Sequence, residues 1–176
     1  MPIIETISQQ DATGELAKLY ETIITMRGSV GNNALLFSSS PELLRQQMDF
    51  IGYYMNHKTL SMPLLASIRI LVSSTNDCKF CIDFNTGMLI NMAGWTLEQV
   101  EAMRKNIDDA NLPDREIALL KIAIKSIRDA HSVNADDLDA LRAMNWSDKD
   151  ILDAVNHATR MLATDIIFNT FKIQQD

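Results

Sequence analysis

The chain has 176 residues, 47% hydrophobic and 22% charged, with a formal net charge of −7. Its length fits one domain on the usual scale of roughly 150 residues each, so a single compact domain over residues 1–176 is expected. No stripe of Lys and Arg is present to neutralise phosphates, which excludes nucleic acid as an expected partner.

The amino-terminal MPIIETISQQDATGE has no basic start followed by an apolar stretch, so no secretory signal is expected. No apolar run reaches about 18 residues, so no membrane span is expected either, and the chain is assigned to the cytoplasm. Only 6% of residues are aromatic. The apolar content is mainly Leu, Ile, Ala and Met, which suit helix cores better than strands.

Taken in order, the elements are helices joined by short polar turns. Leu16, Leu19, Ile23 and Met26 fall at helical spacing over 12–26, with Asp11 as the expected N-cap. Gly28-Ser29-Val30-Gly31-Asn32-Asn33 breaks that helix. Ser40 before Pro41 opens the next, which should run to about Asn56. Ser61 and Pro63 restart the chain into Leu64–Val72, and Ser73-Ser74-Thr75-Asn76-Asp77 forms a polar break. A helix follows from Cys78 to about Met92, with Gly94 as its C-cap. Thr96-Leu97-Glu98-Gln99 spells a capping box for a short helix to Lys105. Pro113 opens a long helix through Ile117, Leu120, Ile124 and Ile127. Asn134 caps a short one over Leu138 and Leu141, and Ser147 caps the last, which reaches about Phe171. No segment alternates with period two for long enough to predict a strand. The fold class expected is all-α.

The sharpest feature is Cys78-Lys79-Phe80-Cys81. Residues three apart on a helix are neighbours, and a Cα separation of roughly 5 Å there lies within disulfide range. At a helix start, unpaired N–H groups favour a thiolate. Lys79 acts in the same direction, while Asp77 and Asp83 oppose it. Such a pair can attack, form a mixed disulfide and resolve it. Two buried, inert core cysteines are the plainer alternative. Zinc fits less well, because two thiolates need two further ligands and His57, His131 and His157 offer none at ligand spacing. No metal and no cofactor is therefore expected. A thioredoxin-like reading fails for want of strands.

The stretch MPLLASIRILVSSTNDCKFCIDFNTGML resembles the signature of the alkylhydroperoxidase D-like proteins of the carboxymuconolactone decarboxylase superfamily, especially their peroxidase-related branch. The likeness extends through TGELAKLYETIITMRGSVGNNALLFSSSPELLRQQM, LPDREIALLKIAIKSI and VNHATRMLATDIIFNTF, and so covers nearly the whole chain. It implies a single compact helical domain of the alkylhydroperoxidase D type. The implied activity is that of a thiol–disulfide oxidoreductase, a peroxidase or disulfide reductase in antioxidant defence, with Cys78 and Cys81 as catalytic residues. Its substrate would be a peroxide or a disulfide. A partner thiol protein would donate or accept electrons, and the chain would assemble as a homo-oligomer, a trimer or hexamer.

The resemblance also exposes a departure. Active relatives carry a Glu twelve positions before the first cysteine and a His four after the second; here those positions hold Ala66 and Asn85. The Tyr frequent between the cysteines is Phe80. Restoring the relay as Ala66→Glu with Asn85→His is expected to raise peroxide-dependent oxidation by at least about tenfold. Arg69, three residues after Ala66, could steady a thiolate or a substrate carboxylate; an Arg with its stem on the core is the plainer reading. A binding or structural homologue that has lost efficient turnover is the alternative function, and decarboxylation of a lactone acid is a weaker one.

Overall fold

The computed structural model describes residues 3–176. Among these, nine α-helices and two short 3-10 turns form, with no strand, so the all-α expectation holds. The helices are α1 (Gly14–Arg27), α2 (Asn32–Leu35), α3 (Pro41–Met55), α4 (Met62–Thr75), α5 (Lys79–Ala93), α6 (Leu97–Lys105), α7 (Asp114–Arg128), α8 (Ala135–Ala143) and α9 (Asp148–Thr170). None of them is long and apolar enough to cross a membrane. The chain divides into two compact units, one comprising the residues up to Asn56 with Ile167–Asp176, the other His57–Ile166.

In the first unit, α1 and α3 enclose Leu16, Tyr20, Ile23, Ala34 and Leu44. The Tyr20 hydroxyl donates to the Ile7 carbonyl at 2.9 Å, and the Ile7 N–H donates to Ser38 Oγ at 2.8 Å, so the leading segment is tied to this core. The expected cap of α1 is corrected. Asp11 instead closes a turn with Ser8, accepting its hydroxyl at 2.5 Å, and Thr13 occupies the N-cap. The one-turn helix α2 starts inside the segment expected to be only a break and runs two residues past it. Its Asn32 N–H is held by the Asp176 carboxylate at 2.6 Å.

The second unit is organised around α4, which packs against both α5 and α7. Five consecutive residues of α4, Leu64 to Ile68, are buried, so the helix presents no solvent face there. Ser61 Oγ accepts the Leu64 N–H and so caps the start as expected. The end is a correction: α4 continues through Ser73, Ser74 and Thr75, where the sequence predicts a break. Ser74 Oγ donates to the Ile70 carbonyl at 2.8 Å and Thr75 Oγ1 to Val72 at 2.6 Å. Hydroxyls that bond back to their own helix in this way are tolerated inside it.

Other stop and start signals are found where the sequence puts them. Gly94 is left-handed at φ 72° and its N–H caps α5 through Leu89. The Thr96/Gln99 capping box opens α6, and Asn134 with Asp137 forms another at α8. Ser147 Oγ accepts the Asp150 N–H at 3.1 Å to start α9. Trp146 is buried, with Nε1 donating to the Arg115 carbonyl at 2.8 Å and the Arg115 guanidinium 3.9 Å from its ring.

Candidate active site

The connection between α4 and α5 is three residues long, Asn76, Asp77 and Cys78. Asp77 makes the reversal in a left-handed conformation, φ 50°, a region that Asp and Asn tolerate better than most side chains. The Cys78 N–H then donates to the Ser73 carbonyl at 3.1 Å. Cys78 is thus the N-cap of α5 and Cys81 lies in its first turn. Both thiols are free and essentially fully buried.

A third group joins them from α9. One Asp165 carboxylate oxygen and the two sulfurs all lie within 4.8 Å of one another. Asp165 has no exposed surface. It is held by the Ser73 hydroxyl at 2.8 Å and the Asn76 amide at 3.3 Å, both from the segment that connects to the cysteines. Burial pushes the Asp165 carboxyl above the ordinary carboxylate range, and hydrogen bonds from Ser73, the two thiols and Asn76 pull it back in part. The Cys81 thiol is pushed strongly upward, first by its hydrogen bond with Cys78, then by burial and the Asp165 charge. Two thiols and a carboxylate this close form a site that can store and pass protons. They also form a three-donor set for a thiophilic cation, a donor that a search for histidines alone misses.

The other sequence candidates divide between this site and the surface. Lys79 is exposed, while Phe80 is buried and stacks on Phe84 with ring centroids 6.1 Å apart. Ala66 is fully buried in α4. Asn85 is buried and donates through Nδ2 to the Cys81 carbonyl at 2.7 Å, while its Oδ1 accepts Arg69 Nε at 2.5 Å. Arg69 Nη1 lies 3.0 Å from His157 Nε2. Burial, reinforced by Arg69, pushes the His157 pKa down to about 3. The imidazole is therefore neutral, and Nε2 is the acceptor for Arg69. His57 belongs to a different cluster, where Nδ1 accepts the Leu60 N–H at 3.0 Å and Nε2 meets Asp153 at 3.0 Å.

Asp165 is the member of this cluster that the sequence reading does not single out. Its signal was present: Ala154, Ala158, Met161 and Asp165 are buried at helical spacing on one face of α9. An acid in register with an apolar stripe needs a partner inside.

The fold that results is that of the alkylhydroperoxidase D core. Among solved structures, an uncharacterised peroxidase-related protein from Ralstonia eutropha JMP134, described as an alkylhydroperoxidase AhpD core, superposes with a TM-score of 0.84 at 20% identity, covering 99% of this chain and 92% of its own. A peroxidase-related protein from Silicibacter sp. TM1040 gives 0.82 at 22% identity, covering 99% and 94%. The debrominase Bmp8, solved as a cysteine-to-alanine variant with 2,3,4-tribromopyrrole, gives 0.75 at 16% identity, covering 100% and 94%. No protein-family model and no curated protein matches the sequence.

Proposed function

We propose that the chain is a thiol–disulfide oxidoreductase of the peroxidase or disulfide-reductase kind, acting in antioxidant defence through Cys78 and Cys81. The observation that carries this reading is the Asp165 carboxylate within 4.8 Å of both free sulfurs. It supplies a proton acceptor where Ala66 and Asn85 cannot.

In the peroxidase direction, Asp165 takes the Cys78 proton, and the sulfur attacks one peroxide oxygen. The O–O bond breaks, the alkoxide leaves and is protonated to the alcohol, and Cys78 becomes a sulfenic acid. Cys81, which keeps its proton until then, displaces the hydroxyl as water and closes the disulfide. Two electrons pass from the dithiol to the peroxide, and a donor thiol restores the dithiol by exchange. The alternative, a binding homologue with little turnover, draws on the burial of both sulfurs and on the Ala and Asn at the relay positions.

Stoichiometric peroxide or oxidised glutathione should give an intramolecular Cys78–Cys81 disulfide, seen by mass mapping and reversed by a dithiol reagent. Thiols that never bridge would leave the binding reading. The same proposal includes assembly as a trimer or hexamer in the cytoplasm. Leu152 and Ile166, 68% and 57% exposed, stand four turns apart on one side of α9, as a contact between copies requires. Light scattering at micromolar concentration is expected to report three or six copies; a monomer would sink that part.

A further inference from the structure

Arg69 is a cation placed in the most buried helix with no anion to match it. A guanidinium has five N–H donors. Nε donates to Asn85 Oδ1, Nη1 meets His157 Nε2, and Nη2 reaches Met88 Sδ at 3.7 Å. All three acceptors are neutral, and one N–H on each terminal nitrogen is left over. Among the described residues no carboxylate pairs with Arg69, whereas Lys121, Lys125 and Arg142 each hold an aspartate. Asp165, the acid nearest the dithiol, is taken up by Ser73 and Asn76.

Burial without a counter-ion is costly for a cation, and here it pulls the Arg69 pKa down to about 10. The group is nonetheless close to the chemistry. Asn85 links it to the Cys81 carbonyl. Arg69 also keeps some exposed surface, which Cys78 and Cys81 essentially lack.

We infer that Arg69 is a receptor for a substrate carboxylate, so that the dithiol selects anionic peroxides or disulfides over neutral and cationic ones. The inference deepens the oxidoreductase reading and rests on it for its kinetic test. The two remaining N–H groups suit a carboxylate's two oxygens, and a bound anion would complete the charge balance that the protein leaves open. The formal net charge of −7 works against anions over the molecule as a whole. A preference for them must therefore come from a local site.

The test uses three small disulfides of similar size: anionic 3,3′-dithiodipropionate, neutral bis(2-hydroxyethyl) disulfide and cationic cystamine. Formation of the Cys78–Cys81 disulfide should be at least tenfold faster with the anion than with the neutral compound, and slowest with cystamine. Arg69→Gln should bring the anion-to-neutral ratio close to one while the neutral rate changes less. Arg69→Lys, which keeps the charge without the fork, should retain part of the ratio. A flat series in the parent protein overturns the proposal even if the Gln variant fails to fold, and so does a ratio unchanged in a folded Gln variant. A second arm needs no turnover. Calorimetry of the reduced protein with adipate should show saturable binding, weakened at least tenfold by Arg69→Gln. If none of the disulfides oxidises the pair but adipate binds through Arg69, the redox reading fails and the anion site stands. If adipate does not bind, the anion site fails.

Discussion

Asp165→Asn should slow peroxide-dependent closure of the Cys78–Cys81 disulfide at neutral pH by about a hundredfold or more, the range in which positioned general bases act. The geometry singles out this residue because its carboxylate is the acid that reaches both sulfurs. Its pH behaviour separates a chemical role from a structural one. Burial raises the Asp165 pKa, so the parent's rate should climb with pH as this carboxyl ionises, and that limb should vanish in the Asn variant. Stability runs in the opposite sense. A carboxyl whose pKa is raised on folding adds stability below its unfolded pKa, and that stability is lost as pH rises through the folded pKa. Removing the charge therefore relieves a cost at neutral pH, while one acceptor for Ser73 or Asn76 is given up. Thermal unfolding of Asp165→Asn should stay within a few degrees of the parent, with activity lost. A variant that is slow because it is unfolded would not support the role.

Ala66→Glu should destabilise the protein by at least about 3 kcal/mol, the sum of overpacking and taking a charge out of water. For a chain of this length that corresponds to a fall of about 6–12 °C in the unfolding midpoint. Thermal unfolding of the single variant checks it. The reason is the all-round burial of α4 from Leu64 to Ile68, with Ala66 itself fully enclosed. A new carboxylate there has no water to turn to, and its side chain must displace the packed neighbours of α4 before it can reach the guanidinium of Arg69. Asn85→His is a gentler change, since an imidazole also offers one donor and one acceptor for the Cys81 carbonyl and Arg69. The relay expected to return with both substitutions is therefore opposed by packing at position 66, and the role proposed for the Asp165 carboxylate would leave it less to add.

Much of this was written locally in the chain. Helix starts at Thr96, Asn134 and Ser147 and the stop at Gly94 depend on side chains or backbone freedom within a few residues, so spacing alone reveals them. The failures are equally physical. Ser73, Ser74 and Thr75 look like a break until their hydroxyls are seen to bond elsewhere: Ser74 and Thr75 to α4 carbonyls, Ser73 to Asp165. Asp11 looks like a cap until Ser8 claims it. The cysteine pair was legible because its chemistry needs only a separation of three residues. Asp165 was not, because it meets the sulfurs only once α9 comes against Ser73, Asn76 and the cysteines, and no short-range pattern encodes that meeting. The buried face of α9 did carry the hint, an acid where Ala, Met or Leu would suffice.

If the proposed thiol chemistry holds, the enclosure of the two sulfurs sets a clock on any exchange with other proteins. Under the proposed oxidoreductase reading, a macromolecular thiol could not reach a sulfur with essentially no exposed surface until the protein opened locally, so its exchange should saturate at the opening rate however concentrated it becomes. A small oxidant needs a much smaller opening. The same enclosure would limit damage in that chemistry, because a sulfenic acid on Cys78 would have Cys81 beside it long before a second peroxide arrived, and would close to a disulfide rather than advance to the sulfinic acid.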